Sequence, residues 1–332
     1  MSQLVLTGIG DYAQNVRLEQ QPELTVGPDD VLLQMEAAPI NPVDNLFSNG
    51  WYAVQPQVPS FIGSEGVGRV RTIGAAVDPT LAGRRVVILG SYEQGAWADQ
   101  VVVPARNVVA VPEGIDATQL SMLTINPITA HLMLTRYVDL KPGDWIAQTL
   151  GNSAVARSVI TLARIAGVRT LSVVRSEKAA EEARAAGGDL VLVDGDDLAE
   201  RTASALAGQR LRLVLDGAGG STAGALATGL EPGGTVVSYS SATGEPPVLP
   251  LGSLVYGELS LRGLWVVNWF HTAPRAEIEK VVADLVDLVA GGELVVPVDS
   301  TYPLHRYAEA FARNASPERT GKVLFTFDTT GA

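Results

Sequence analysis

Three stretches of this chain carry residue types and spacings that could do chemistry: a turn of small residues, a basic strand end, and a tyrosine on a loop. The run WIAQTL (145–150) leads directly into GNSAVARSVITLARIAG (151–167). A strand, a tight turn of small side chains and a helix start can cradle a pyrophosphate. The backbone approaches the ligand closely, and the helix N-terminus offers N–H groups and the positive end of its dipole. The glycine fingerprint is incomplete, with Ala154 and Ala156 where glycine is usual and Asn152-Ser153 filling the turn. The pattern fits nucleotide binding, and it also fits an ordinary αβ turn. The next strand ends at Val173-Val174-Arg175-Ser176. About twenty residues past the glycine turn, an NAD site places an acid on the ribose 2′-hydroxyl. A basic residue followed by a hydroxyl suits a 2′-phosphate instead and favours NADP(H). Glu177 opposes that reading and Lys178 partly offsets it, while a surface arginine on a βα loop is the plain alternative.

The third stretch is Asn41-Pro42-Val43-Asp44 followed by Gly50-Trp51-Tyr52. A tyrosine on a glycine-flanked loop can donate a proton once a cofactor has supplied a hydride. Packing of two loop aromatics would account for the same residues, and the pattern does not choose between them. Other chemistries have little to work with. The chain has no cysteine, and its 3 histidines (His131, His271 and His305) lie far apart, so no usual zinc spacing exists and no metal site is expected. A G-x-S-x-G elbow for serine catalysis is also missing.

Positioning these residues requires two kinds of text. Up to about residue 117 the chain reads as β-rich: short apolar runs at 31–35, 67–73, 85–89 and 100–103 are separated by punctuation such as Gly27-Pro28 and Gly74. Strands at that spacing suggest a small barrel or sandwich. The stretch 118–137 reads as one or two helices with Pro127 interrupting. A regular alternation follows, with strands at 144–149, 170–174, 190–193, 211–216 and 235–238, and helices at 154–166, 177–186, 198–206 and 221–229. Such alternation means βαβ units and a parallel sheet. An amphipathic helix is expected over 278–290, then strands at 294–298 and 322–327. The expected architecture is a doubly wound domain inserted into a β-rich one. Its divisions are 1–122 for the β-rich part, 123–270 for the cofactor-binding part, and 271–332 for a linking helix and the return.

With 332 residues and no cysteine, the core must be held by burial alone, which excludes a disulfide-stapled scaffold. The net charge of −12 disfavours a broad nucleic-acid footprint. No uncharged apolar run approaches the roughly 20 residues that span a bilayer. The start, MSQLVLTGIGDYAQNV, is unlike a signal peptide or an Arg-rich presequence, and a cytoplasmic location is expected.

At these residues the chain resembles the zinc-free medium-chain dehydrogenases/reductases, and more narrowly the mitochondrial-type trans-2-enoyl-thioester reductases, with quinone oxidoreductases next. The matching text runs through NPVDNLFSNGWY (41–52), GSEGVGRV (63–70), NPITAHLML (126–134), NSAV (152–155), VVR (173–175), GTVVSY (234–239), RGLWV (262–266) and TGKVLF (320–325). Each is weak alone, and GxExxGxV occurs throughout the superfamily; in this order they are specific. The Asn-Ser turn also separates the chain from quinone reductases, which prefer Gly-Gly.

The resemblance implies an α/β fold, a GroES-like β-rich catalytic domain with an inserted Rossmann-type domain. It implies NADPH-dependent reduction of the C2=C3 bond of trans-2-enoyl thioesters carried on coenzyme A or acyl carrier protein. Tyr52 falls on the family's proton donor, and Trp51 and Trp265 fall with it on the substrate pocket. Asn41, Asn126 and Lys322 fall on cofactor contacts. Asn152, Ser153, Ala154 and Val155 fall on the pyrophosphate turn, and Arg175 with Ser176 on the 2′-phosphate site. Tyr239, Ser240, Ser241, Ala242, Leu264, Trp265, Val266 and Val267 align with segments lining the nicotinamide and acyl pocket. There are departures: Glu177 stands where a second basic residue is usual, Ala156 replaces a glycine, His131 a tyrosine, and 240–242 is poor in glycine. A quinone or small-enone reductase is the competing activity, and the altered glycine turn motivates a non-catalytic NADPH-binding protein as a third reading. The apolar run 259–266 resembles an edge strand that pairs across a two-fold, which implies a homodimer. No nucleic-acid or membrane partner is implied.

Overall fold

The structure is a computed structural model that describes residues 1–328. Two compact units emerge, Met1–Ile125 together with the chain from Val266 onward, and Asn126–Trp265. The first unit begins β1 (Ser2–Leu6), α1 (Tyr12–Asn15), β2 (Val16–Gln20), β3 (Asp30–Pro39), α2 (Pro42–Ser48), β4 (Gly66–Ile73), β5 (Arg85–Ile88), β6 (Gln100–Pro104), β7 (Val108–Ala110) and α3 (Ala117–Ser121). The second holds α4 (Asn126–Arg136), β8 (Trp145–Gln148), α5 (Ala154–Ile165), β9 (Arg169–Val174), α6 (Glu177–Ala185), β10 (Leu190–Val193), α7 (Leu198–Leu206), β11 (Leu211–Asp216), α8 (Thr222–Ala227), β12 (Leu230–Ser238), α9 (Leu251–Tyr256) and β13 (Ser260–Gly263). The chain then re-enters the first unit with α10 (Val266–Thr272), α11 (Arg275–Ala290), β14 (Val298–Pro303), α12 (Tyr307–Ala315) and β15 (Lys322–Thr326).

The β-rich unit is built on a mostly antiparallel sheet ordered β14-β15-β3-β4-β5-β7, with β6 also pairing β3. Valines 67, 70, 86 and 87 are buried in it, as β-branched residues on a pleated surface should be. An aromatic cluster fills one part of its core: Trp97 lies 5.7 Å from Tyr12, 5.5 Å from Phe311 and 5.4 Å from Phe325 between ring centroids. One expected strand is displaced. Residues 294–297 are not a strand although Leu294 and Val296 are buried; β14 starts at Val298. The reason is a side chain that takes the place of a strand partner. Gln119 Nε2 donates to the Val296 carbonyl at 3.0 Å, and its Oε1 accepts from the Val296 amide at 2.9 Å.

The second unit is the doubly wound part. Its six strands run in the order β10-β9-β8-β11-β12-β13, every neighbouring pair parallel. The chain builds outward from β8 to β10, returns beside β8 with β11, and builds the other way. That reversal opens a crevice at the carboxyl ends of β8 and β11. Helices cover both faces over separate cores, one around Leu171, Val214 and Val236 and one around Ile146, Val159 and Leu213. Pro127 does not interrupt a helix; it is the second residue of α4, in the first turn, where its missing N–H costs nothing. The edge strand is shorter than the apolar run 259–266 suggests. After β13 the spacing becomes helical, with Val266, Val267, Trp269 and Phe270 buried along α10. Among the described residues, no helix is long and apolar enough to cross a membrane.

Candidate active site

The crevice of the parallel sheet is assembled from adjacent strand ends. Leu150 takes a left-handed φ of 51°, unusual for a branched residue, and turns the chain after β8. Ser153 then caps α5, its hydroxyl accepting from the Ala156 amide at 3.1 Å. Asn152 donates to Glu182 at 3.0 Å, which fixes the turn against α6. Ala154 and Val155 open α5, so the helix N-terminus faces the crevice as the spacing anticipates. Across the switch point, Thr149 donates to Asp216 Oδ1 at 3.0 Å and accepts from the Gly217 and Ala218 amides at 2.8 and 3.1 Å. Asp216 Oδ2 is buried without a hydrogen-bond partner. Neither Thr149 nor Asp216 is singled out by the sequence reading; the signal for them is a polar residue closing a strand just before Gly217-Ala218-Gly219-Gly220.

Tyr239 leaves β12 into the same place. Burial pushes its phenol well above the usual range, the Asp216 carboxylate adds to the rise, and the Ser153 hydroxyl opposes it. Ser240, Ser241 and Ala242 form an exposed loop tied back by Ala242 N–H to the Gly217 carbonyl at 3.0 Å and by Ser241 to the Glu245 carbonyl at 2.6 Å. Leu264 donates its amide to Ser238 at 3.0 Å, Trp265 is partly exposed, and Asn126 is buried at the start of α4. Arg175 and Ser176 follow the end of β9, both exposed, with Ser176 capping α6. Glu177 is drawn to its own helix, where Arg184 donates to it at 2.6 Å.

In the β-rich unit, Tyr52 is half-buried on the loop after α2, its ring centroid 4.9 Å from that of Tyr92. Trp51 is 74% exposed. Asn41 and Lys322, which the sequence reading does not connect, are buried together: Lys322 Nζ donates to Asn41 Oδ1, and Asn41 Nδ2 donates to Glu65 at 2.9 Å. Burial lowers the Lys322 pKa to about 8, with Glu65 pulling it back up. Val266 and Val267 are buried at the start of α10.

Known proteins are similar to this chain over nearly its whole length. Residues 27–113 match the alcohol dehydrogenase GroES-like domain family, and residues 154–287 match the zinc-binding dehydrogenase family. A protein of Rattus norvegicus named mitochondrial enoyl-(acyl-carrier-protein) reductase is 31% identical over 328 residues, covering 97% of this chain and 88% of its own. The chain belongs to the medium-chain dehydrogenase/reductase superfamily. Two solved mycobacterial structures share the superfamily fold, each 26% identical. One, a quinone oxidoreductase, has a TM-score of 0.87 and covers 98% of this chain and 99% of its own. The other, complexed with NADPH, has a TM-score of 0.86 and covers 98% and 100%.

The crevice fits the dinucleotide that medium-chain reductases use. It offers a capped helix N-terminus at the switch point, an exposed arginine at the next strand end, and an orphaned buried carboxylate oxygen on Asp216. Among the described residues, no group of three His, Asp or Glu side chains is gathered as a metal site would need.

Proposed function

We propose that this medium-chain reductase carries out NADPH-dependent reduction of the C2=C3 bond of trans-2-enoyl thioesters, without zinc. Near full-length similarity to an enoyl-(acyl-carrier-protein) reductase is the observation that carries the reading. NADPH is the cofactor, and when bound it supplies a hydride for the substrate β-carbon. Asn152, Ser153, Ala154 and Val155 hold its pyrophosphate at the start of α5, and Arg175 with Ser176 holds the 2′-phosphate. Asn126, Tyr239 to Ala242 and Leu264 to Val267 complete its surroundings, with Asn41 and Lys322 in support. Tyr52 delivers the proton to the α-carbon, and Trp51 and Trp265 flank the acyl group. Half-burial suits Tyr52 to the task, since a developing enolate needs a donor shielded from bulk water.

The exposed edge β13 and the apolar side chains of α9 beside it in sequence support a homodimer. Leu251 is 74% and Tyr256 89% exposed, more apolar surface than an isolated subunit usually leaves bare. Cytoplasmic placement is part of the proposal and is checked by cell fractionation. The second reading, a quinone or small-enone reductase, rests on the similarity to the mycobacterial quinone oxidoreductase. A comparison of kcat/KM for crotonyl-CoA and for a simple quinone separates the two: preference for the thioester upholds the proposal, and preference for the quinone replaces it.

A further inference from the structure

Two buried oxygens of the β-rich unit lack a hydrogen-bond partner of good geometry, Asp44 Oδ1 and the hydroxyl of Tyr92, whose ring packs on that of Tyr52. The Ser64 hydroxyl is the polar group adjacent to both. Tyr92 is 7% exposed and held at a left-handed φ of 61°, a backbone state that a tyrosine keeps only when its surroundings impose it. Its ring is clamped between Phe47 of α2 at 5.4 Å and Tyr52 at 4.9 Å.

The fully buried charges around Asp44 do not balance among themselves, and the nearby Arg319 guanidinium, which acts on Lys322 and Tyr12, is also drawn to Asp299. Asp44, Glu65 on the segment entering β4, and Lys322 of β15 are all buried, giving two carboxyls for one ammonium. Tyr12 of α1 and Tyr92 face Asp44 as well and feel its charge. One anion too many in a low-dielectric site is most cheaply relieved by a proton. Glu65 is the poorer home for it. That carboxylate accepts from Asn41 Nδ2 at 2.9 Å, from the Thr124 amide and hydroxyl at 3.0 Å each, and from the Ile125 amide at 2.9 Å. Asp44 accepts from the Asn41 amide at 2.7 Å on one oxygen, and the other has only the poorly directed Ser64 hydroxyl beside it. Burial pushes the Asp44 pKa up to about 7, so both of its protonation states occur near neutrality.

We infer that Asp44, acting through Tyr92, is a positioning residue for Tyr52, and that proton donation by Tyr52 is favoured when Asp44 carries a proton. The inference rests on the proposed role of Tyr52. As Tyr52 gives up its proton its oxygen gains negative charge, and an ionised Asp44, whose charge already reaches the neighbouring Tyr92, opposes it. A neutral Asp44 does not.

The test is the pH dependence of kcat with trans-2-enoyl-CoA in wild type, Asp44→Asn and Tyr92→Phe, paired with 13Cζ-tyrosine NMR of the free proteins. Asparagine at 44 keeps an acceptor for the Asn41 amide, and phenylalanine at 92 keeps the ring against Tyr52. In wild type, kcat should fall by roughly three- to tenfold as the pH rises through about 7. Asp44→Asn should abolish that step, and Tyr92→Phe should shrink it while leaving KM for NADPH unchanged. The Tyr52 and Tyr92 resonances should show the same inflection in wild type and lose it in Asp44→Asn. An inflection that survives in Asp44→Asn, or a Tyr92→Phe profile identical to wild type, overturns the inference. Should Asp44→Asn not fold, Tyr92→Phe decides alone. The NMR titration needs no turnover, so silence on every thioester would sink the proposed reaction while the coupling among the three residues was still decided.

Discussion

The ring of Tyr239 lies so close over Gly217 that a Cβ on Gly217 would stand 2.6 Å from its Cζ and hydroxyl oxygen. Neither neighbour can yield easily, because Gly217 is pinned by its amide to Thr149 and the half-buried Tyr239 packs on the core beside Ser153 and Asp216. Gly217→Ala should therefore expel the ring from the crevice. The expected cost is about 1–3 kcal/mol of stability, as for other overpacking changes, with a several-fold rise in KM for NADPH. Thermal unfolding and cofactor titration of the variant check both; a variant with wild-type KM would show that Tyr239 does not border the cofactor.

Arg175 is exposed, and its acidic neighbour Glu177 is engaged by Arg184. The arginine is therefore free of Glu177's competition for a 2′-phosphate. Arg175→Ala should raise KM for NADPH roughly tenfold or more, the value of a lost charge-assisted bond, and leave KM for NADH nearly unchanged. Equal effects on the two cofactors would remove Arg175 from the 2′-phosphate site.

Asp44 also makes stability depend on pH, apart from catalysis. Its folded pKa of about 7 lies above the roughly 3.9 of an unfolded aspartate, so between those values the folded state holds a proton that the unfolded state has lost. Its contribution to stability is present below the unfolded value and is lost as pH rises to the folded one. Asp44→Asn escapes that loss. The variant should thus gain on wild type, in unfolding free energy, as the pH is raised from about 5 to about 8. Chemical denaturation at the two pH values measures it, and a constant difference would mean Asp44 is ionised throughout.

The exposed apolar positions on α9 and β13 give a prediction for assembly. Tyr256→Lys combined with Leu261→Lys should turn a dimer into a monomer without lowering the melting temperature of the subunit, since both side chains are exposed. Light scattering at micromolar concentration reads the outcome, and a wild-type monomer would refute the dimer directly.

The parallel sheet was the most legible part of the sequence from β8 to β12, because its strands there are short apolar runs alternating with helical spacing; α9, after β12, is not anticipated at all. Elements with mixed or short signals were not legible. The helix α2 hides in NPVDNLFS, where Asp44 and Ser48 are buried polar residues that break the amphipathic pattern. Residues 294–297 read as a strand because they are apolar, but their backbone is satisfied by Gln119, some 177 positions away, which no local pattern can show. The site divides along the same line. Arg175 and Ser153 follow from local spacing at strand ends. The partnership of Asn41 with Lys322, 281 positions apart, depends on β15 pairing antiparallel with β3, and it came into view only with the fold.

The central claim is tested most directly by incubating the purified protein with NADPH and a series of trans-2-enoyl-CoA esters, following NADPH oxidation, with NADH as control and Tyr52→Phe beside wild type. The account predicts NADPH-dependent turnover that is weak with NADH and lowered roughly 10²-fold or more in kcat by Tyr52→Phe. Wild-type turnover in Tyr52→Phe, or no oxidation of NADPH with any enoyl thioester, would contradict it.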